Sequence, residues 1–395
     1  GVPFAMRILE APDPDEINWE HIGRTHQDLQ AGKVTAIALT VALCLVWTIP
    51  TTFLASLSNA SEVREDFDLL QKYPNLIVVV EQLAPLLLVA LNSTLPVIFL
   101  FITKFEGNIS SGTNEASRFV KLGWFMVIQT FFVSAISGSV TQAISAMLDD
   151  PSSAVEFLAT TLPSQGTYFM QLVIVYTVRT AAFELLRVFP LMFAALRRFV
   201  GPRFTESERN KRFLFLRPLS DPLFFQQAFF GSQVVLFITI LFVYAVIYPL
   251  APVITAICFL CMGSMYRHQF CYIYPTNPDS GGKLYANFIQ FMLATIVIAQ
   301  LTIVGLLSLN KAPTQVILFV PLLCITTLFI FYIHQMHFRV AAYLPTYECL
   351  AEDFARGDDF DFSIVREAYL QPALAAEKDV QPDPALLSED LVINT

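Results

Sequence analysis

Charge is scarce in this sequence. Asp, Glu, Lys and Arg make up 14% of its 395 residues against 55% hydrophobic ones, and the mean hydropathy is +0.58. So little charge cannot cover a water-exposed surface, which excludes an ordinary soluble globule and implies a polytopic, all-α membrane protein. Catalytic motifs are missing as well. The chain has no P-loop, no Gly-x-Ser-x-Gly nucleophile elbow and no His-Glu-x-x-His zinc motif, so no enzyme activity, cofactor or metal is expected. Cysteine is sparse too. The six, Cys44, Cys258, Cys261, Cys271, Cys324 and Cys349, fall in apolar runs or on the side read below as cytoplasmic, where a disulfide framework is not expected.

What the sequence has is length in its apolar runs. Eight are long enough to cross a bilayer, at about 34–58, 75–103, 119–148, 166–196, 224–247, 250–270, 286–309 and 313–337. A Tyr248-Pro249-Leu250-Ala251-Pro252 turn separates the fifth from the sixth. The connection 197–217 carries Arg197, Arg198, Arg203, Arg209, Lys211, Arg212 and Arg217, which puts it in the cytoplasm by the positive-inside rule. The opposite loops keep only Arg64, Lys72 and Lys311. An even number of spans then leaves both ends of the chain cytoplasmic. Three regions are expected: 1–33 as the end of a cytosolic domain belonging to something longer, 34–338 as the membrane domain, and 339–395 as an acidic cytosolic tail. Residues 340–395 hold twelve Asp or Glu against Arg356, Arg366 and Lys378, which accounts for the whole net charge of -9. The acidity therefore belongs to the tail. No nucleic-acid partner is expected, and the basic loop reads first as a topology determinant, with attraction of anionic lipids at roughly 1 kcal/mol per near-surface base as the alternative.

The charge that does enter the membrane is concentrated in one run. Arg179, Glu184 and Arg187 lie inside the stretch from Tyr168 to Leu196, where each costs roughly 2.5 to 3.5 kcal/mol. Read as one continuous helix at about 100° per residue, the run brings the three into a sector of roughly 140° shared with Tyr176, Thr177 and Thr180. Such a face is either wet or paired. Glu184 and Arg187 at i, i+3 could pair with each other, but Arg179 needs another partner, water or a lipid phosphate. The second run is polar as well, with Glu81, Gln82, Asn92, Ser93, Thr94 and a kink expected at Pro96, groups that either bond neighbouring helices or line a cavity. His334 with His337, and Cys258 with Cys261, have metal-like spacing without further ligands at matching offsets, so the first read as interfacial and the second as small apolar residues. Asn59 is an outer-side glycosylation acceptor close to the membrane.

Several strings in order resemble one family. They are Ala11-Pro12-x-Pro14-x-x-Ile17-x-Trp19, Ile49-Pro50 with Ser56-Leu57, Lys104-Phe105-Glu106-Gly107, and Tyr266-Arg267-His268-Gln269 followed by Tyr272, Tyr274 and Gly281-Gly282. Gln300-Leu301, Gly305-Leu306-Leu307 and Ala368-Tyr369-Leu370-Gln371-Pro372 complete the set. Together they resemble the hyperosmolality-gated calcium-permeable channels, also called calcium-permeable stress-gated cation channels, over about 11–372. The resemblance implies an eleven-helix fold similar to the anoctamins, of which these eight spans are the last eight. It further implies a pore formed by the first five spans here, homodimers, the plasma membrane, and opening by membrane tension or osmotic stress. Glu184, in Phe183-Glu184-Leu185-Leu186, matches a glutamate of the family's pore-lining helix. The sequence departs from the family at three points: Thr180-Ala181-Ala182-Phe183 lacks the hinge glycine, Gln142 stands where plant members have glutamate, and Arg179 and Arg187 match no family charge.

The pore-lining candidates are therefore Glu184, Arg179, Arg187, Thr180, Asn92 and Gln142. Glu184 would attract cations, and the expected partners are membrane lipids and permeant cations. The alternative is a phospholipid scramblase in which Arg179 and Arg187 pass phosphate headgroups along a membrane-open groove. A secondary transporter would need a counterpart of the charged span in the second half, and none is visible.

Overall fold

A computed structural model describes residues 11–56, 83, 85–134, 162–200, 224–275, 279–310, 312–338, 346–356 and 368–371. Every long element among them is helical. In chain order these are α1 (His26–Ser56), α2 (Pro85–Lys104), α3 (Ser111–Phe125), α4 (Gly166–Leu186), α5 (Val188–Val200), α6 (Gln227–Ile247), α7 (Ala251–Tyr272), α8 (Lys283–Leu309), α9 (Pro313–Ile333) and α10 (Thr346–Arg356). Six described helices are long and apolar enough to cross a membrane: His26–Leu54, Pro85–Lys104, Gly166–Leu186, Gln227–Ile247, Lys283–Leu309 and Pro313–Phe338. The other two expected spans fall outside that set. α7 is helical throughout, but its last turns carry Tyr266, Arg267, His268 and Gln269. The third expected span is followed only as far as Ser134, and its residues 135–148, with Gln142, lie outside the described residues.

α6 is the hub of the bundle. Its Leu236, Phe237, Ile240, Val243 and Tyr244 are fully enclosed, and it packs against α3, α4, α7 and α8. Lipid solvates the outer faces, so the helices at the rim expose their apolar side chains: α9 packs on α8 and buries none of its described residues. α1 begins at His26, well before the apolar run at 34, because the polar turn from Asp28 to Lys33 winds in the same register.

Three irregularities position the interior. Ser93 and Thr94 form a turn within α2, ahead of Pro96. Proline has no N–H to return to the Asn92 carbonyl and its ring crowds that carbonyl, so the expected kink falls here. α3 then runs on as a π-helix, Met126–Val133, a wider winding that turns Gln129 and Thr130 into the bundle. Finally, the charged run is not one helix. Arg187 adopts φ 49 and ψ 44, the left-handed region, and splits α4 from α5. The single face shared by Arg179, Glu184 and Arg187 is corrected accordingly: the first two share a helix, and the third belongs to the break.

A polar belt and a charged helix end

α4 carries the site. Tyr168, Phe169, Leu172, Val173, Tyr176, Thr177 and Thr180 lie on its buried face. Tyr176 and Asn92 are each 0% exposed. The Asn92 amide donates to Tyr176 Oη at 2.9 Å and to Thr130 Oγ1 at 3.1 Å, and its Oδ1 accepts from Trp47 Nε1 at 3.4 Å. One side chain thus ties α1, the π-helix and α4 to α2. Beside it, Gln129 Nε2 donates to Thr48 Oγ1 at 3.0 Å and to the Cys44 carbonyl, and its Oε1 accepts from Thr51 Oγ1 at 3.4 Å. In hydrocarbon such groups must be satisfied within the protein, and here they form a neutral belt across four elements.

Arg179 closes the belt on the side towards Glu184. Its Nη1 donates to Ser93 Oγ at 2.5 Å, Nη2 reaches Thr180 Oγ1 at 3.4 Å, and the guanidinium lies over the rings of Tyr176 (5.3 Å) and Phe229 (5.8 Å). The partner it requires is therefore a hydroxyl and two aromatic faces, a cation–π arrangement that desolvation strengthens. Its Nε is buried and meets no acceptor among the described residues.

Glu184 faces elsewhere. Its Oε2 accepts from the Tyr274 hydroxyl at 2.5 Å, and its main-chain carbonyl accepts from Gln269 Nε2 at 3.2 Å. Among the described residues no ion pair joins Glu184 to Arg187. Burial, and after it the hydrogen bond to Glu184 and that carboxylate's charge, push the Tyr274 phenol well above its ordinary range, so it remains a donor at any physiological pH.

The structure thus brings Arg179 and Thr180 to the edge of the Asn92 belt and keeps Glu184 and Arg187 apart from it. Gln142, Glu81, Gln82, Asn59 and the basic residues from Arg203 to Arg217 lie outside the described residues. Residue reading did not single out Trp47, Gln129 and Thr130. The signal was available: Gln129-Thr130 is an isolated polar pair in Trp124-Phe125-Met126-Val127-Ile128-Gln129-Thr130-Phe131-Phe132-Val133, an expensive insertion unless partnered.

A second polar junction lies at the bundle end that carries Lys104 and Lys283. Ile17 pairs with Ser110 as an isolated antiparallel bridge, Asn18 N donates to the Ile109 carbonyl at 2.7 Å, and Glu16 accepts from Asp279 N at 2.8 Å. Glu106 sits here, bonded by Lys121, by Ser117 at 2.6 Å and by Asn108 at 2.9 Å. Burial alone would raise its carboxyl, but those donors and the Lys121 charge carry it below its ordinary value.

A bundle of membrane-length helices joined through an internal polar belt defines a multi-pass, all-helical membrane protein. Residues 33–307 match the family described as "Calcium-dependent channel, 7TM region", and the chain belongs to that family. Among curated relatives it is 25% identical to hyperosmolality-gated Ca2+ permeable channel 2.3 of Arabidopsis thaliana, over 96% of this chain and 53% of that protein. It is 26% identical to calcium permeable stress-gated cation channel 1 of Schizosaccharomyces pombe, over 82% of this chain and 40% of that protein. Uncharacterized protein RSN1 of Saccharomyces cerevisiae is also 26% identical, over 82% of this chain and 34% of its own length. The chain thus spans between about a third and about half of the relatives it matches.

Proposed function

We propose that this chain is the ion-conducting part of a calcium-permeable cation channel opened by membrane tension or osmotic stress. The observation that carries the reading is the polar belt at Asn92 and Tyr176, which crosses the interior of a membrane bundle and is shut to water in this conformation. An interior of this kind has a use when the helices part: the same amides and hydroxyls that bond one another can solvate a permeant ion. Tension favours whichever conformation occupies more area in the membrane plane, so it favours that parting. The names of the plant and fission-yeast relatives support the same reading.

In this reading α1 to α6 surround the path, Glu184 attracts cations at the end of α4, and Arg179, Thr180, Asn92 and Gln142 line or tune it, with Arg187 at the break. The chain supplies eight spans of an eleven-helix, anoctamin-like fold, 34–338 being the membrane domain between a cytosolic segment at 1–33 and a cytosolic tail at 339–395. The Lys104 end of the bundle faces the cytoplasm, and the protein works as a homodimer in the plasma membrane. The phospholipid scramblase alternative has no observation in its favour, since Arg179 turns to Ser93 and two aromatic rings instead of a membrane-open groove.

Single-channel recording from pressure-clamped patches of the full-length protein tests the assignment. Glu184→Ala lowers unitary cation conductance, by about twofold or more given loss of a full charge beside the path. Identical unitary currents in the variant remove Glu184 from the path, and absence of any stretch-evoked current in the wild type removes the channel reading itself.

A further inference from the structure

Glu184 is held by two groups from the same corner of α7, and the place where it is held is next to the place where its own helix is broken. These two facts are linked through the backbone. A helical residue's carbonyl normally accepts from the amide four residues on. The break at Arg187 leaves the Glu184 carbonyl among the last, orphaned carbonyls of α4, out of register with the amide of Val188. The Gln269 side chain satisfies that orphan at 3.2 Å. Gln269 is itself 1% exposed, and its own carbonyl accepts from Ile273 N at 2.9 Å and Tyr274 N at 3.0 Å. The turn that presents Tyr274 is thus wound on the residue whose side chain grips Glu184. The Tyr274 ring is fixed in turn by Phe225 at 5.3 Å and Phe270 at 6.0 Å.

The holding side is therefore rigid and the held side is strained. A left-handed arginine costs on the order of 1 to 3 kcal/mol and persists only where the surroundings enforce it. Winding α4 straight through Arg187 into α5 would relieve that strain and give the Glu184 carbonyl a main-chain donor of its own. The Gln269 and Tyr274 contacts hold Glu184 in the orientation that goes with the break, so both changes compete with them.

We propose that Tyr274 and Gln269 form a latch that keeps Glu184 turned away from the ion path, and that its release lets the Arg187 break straighten as the channel opens. Tyr274 is a positioning residue, acting through Glu184. The proposal rests on the channel reading above for its consequence, but the latch is a property of the fold and is measurable without any current.

Tyr274→Phe removes only the hydroxyl and leaves the ring in its aromatic setting. Loss of one hydrogen bond to a carboxylate raises the open-to-closed ratio at a fixed, sub-saturating suction by about tenfold, seen as a lower half-activating pressure in patches of the full-length protein. The shift disappears in the Glu184→Ala background. It survives, reduced, in Glu184→Gln, whose amide oxygen still accepts from the phenol. An unchanged pressure response in Tyr274→Phe, or an equal shift with and without Glu184, overturns the latch.

The second readout needs no conduction. Spin labels at the exposed positions Leu186 and Tyr272, in a cysteine-free background in lipid nanodiscs, give one narrow distance distribution that Tyr274→Phe broadens. A distribution unaffected by the substitution overturns the latch. If the wild type passes no stretch-evoked current, the channel reading falls while the label distances still decide the latch.

Discussion

Tyr176 and Glu184 lie eight residues apart on α4, and each is fastened to a neighbouring segment through a phenol. At Tyr176 the phenol is α4's own, and it accepts from the neutral amide of Asn92 inside a network that also takes in Trp47 and Thr130. At Glu184 the phenol belongs to the segment after α7, and it donates to a carboxylate at the edge of the bundle beside a backbone break. The first fastening is central, fully enclosed and shared among four elements. The second is peripheral, charge-assisted and stands beside the one left-handed non-glycine among the described residues. A molecule built this way carries two kinds of fastening on one helix: a neutral one shared among four elements, and a charge-assisted one between two segments.

The largest effect is expected at the belt. Asn92→Leu leaves Tyr176, Thr130 and Trp47 without their common partner. Interhelical hydrogen bonds in membranes average about 0.6 kcal/mol each, so losing the node costs about 2 kcal/mol, more than any substitution at the charged end. Thermal unfolding in detergent checks this. A melting temperature equal to that of the wild type, or a larger loss in Glu184→Ala, would reverse this ranking of the two fastenings.

Next in size is the break itself. At Arg187 a glycine reaches φ 49 without the Cβ clash, whereas alanine keeps the clash and removes only the charge. Arg187→Gly is expected to exceed Arg187→Ala in stability by about 1 kcal/mol. The difference between the two variants, read from paired melts, isolates backbone strain from electrostatics. Equal melts would mean that the left-handed turn stores nothing.

How much of this was readable beforehand depended on the kind of signal. Arg179 and Glu184 stood out because a charge in hydrocarbon is expensive wherever its partner is, and the Pro96 kink followed from a missing N–H. The bundle's helical class followed from apolar run length. The break at Arg187 left no such trace: neither glycine nor proline marks it, because it is stabilised by Gln269, distant in sequence and adjacent only after folding. The same holds for the Glu184 partner. Tyr274 was visible as part of a family string, but nothing local says that its hydroxyl reaches another helix. Pairing at i, i+3 was the natural local guess for Glu184 and Arg187, and tertiary contacts override it.

The smallest effect belongs to Arg179, which stands between the two regions and shares in both. Its guanidinium is anchored to Ser93 and lies over Tyr176, at the edge of the belt, yet it carries the only charge there among the described residues. Arg179→Gln keeps a polar group for Ser93 and removes the charge. The loss of one screened repulsion raises unitary cation conductance by about twofold at low ionic strength and by less as salt shortens the Debye length. That salt dependence separates a field effect from a change in packing, because a repacked belt would alter conductance equally at every salt concentration. A conductance ratio between variant and wild type that stays flat from low to high salt would assign Arg179 to the belt alone and leave Glu184 as the single charge that ions feel.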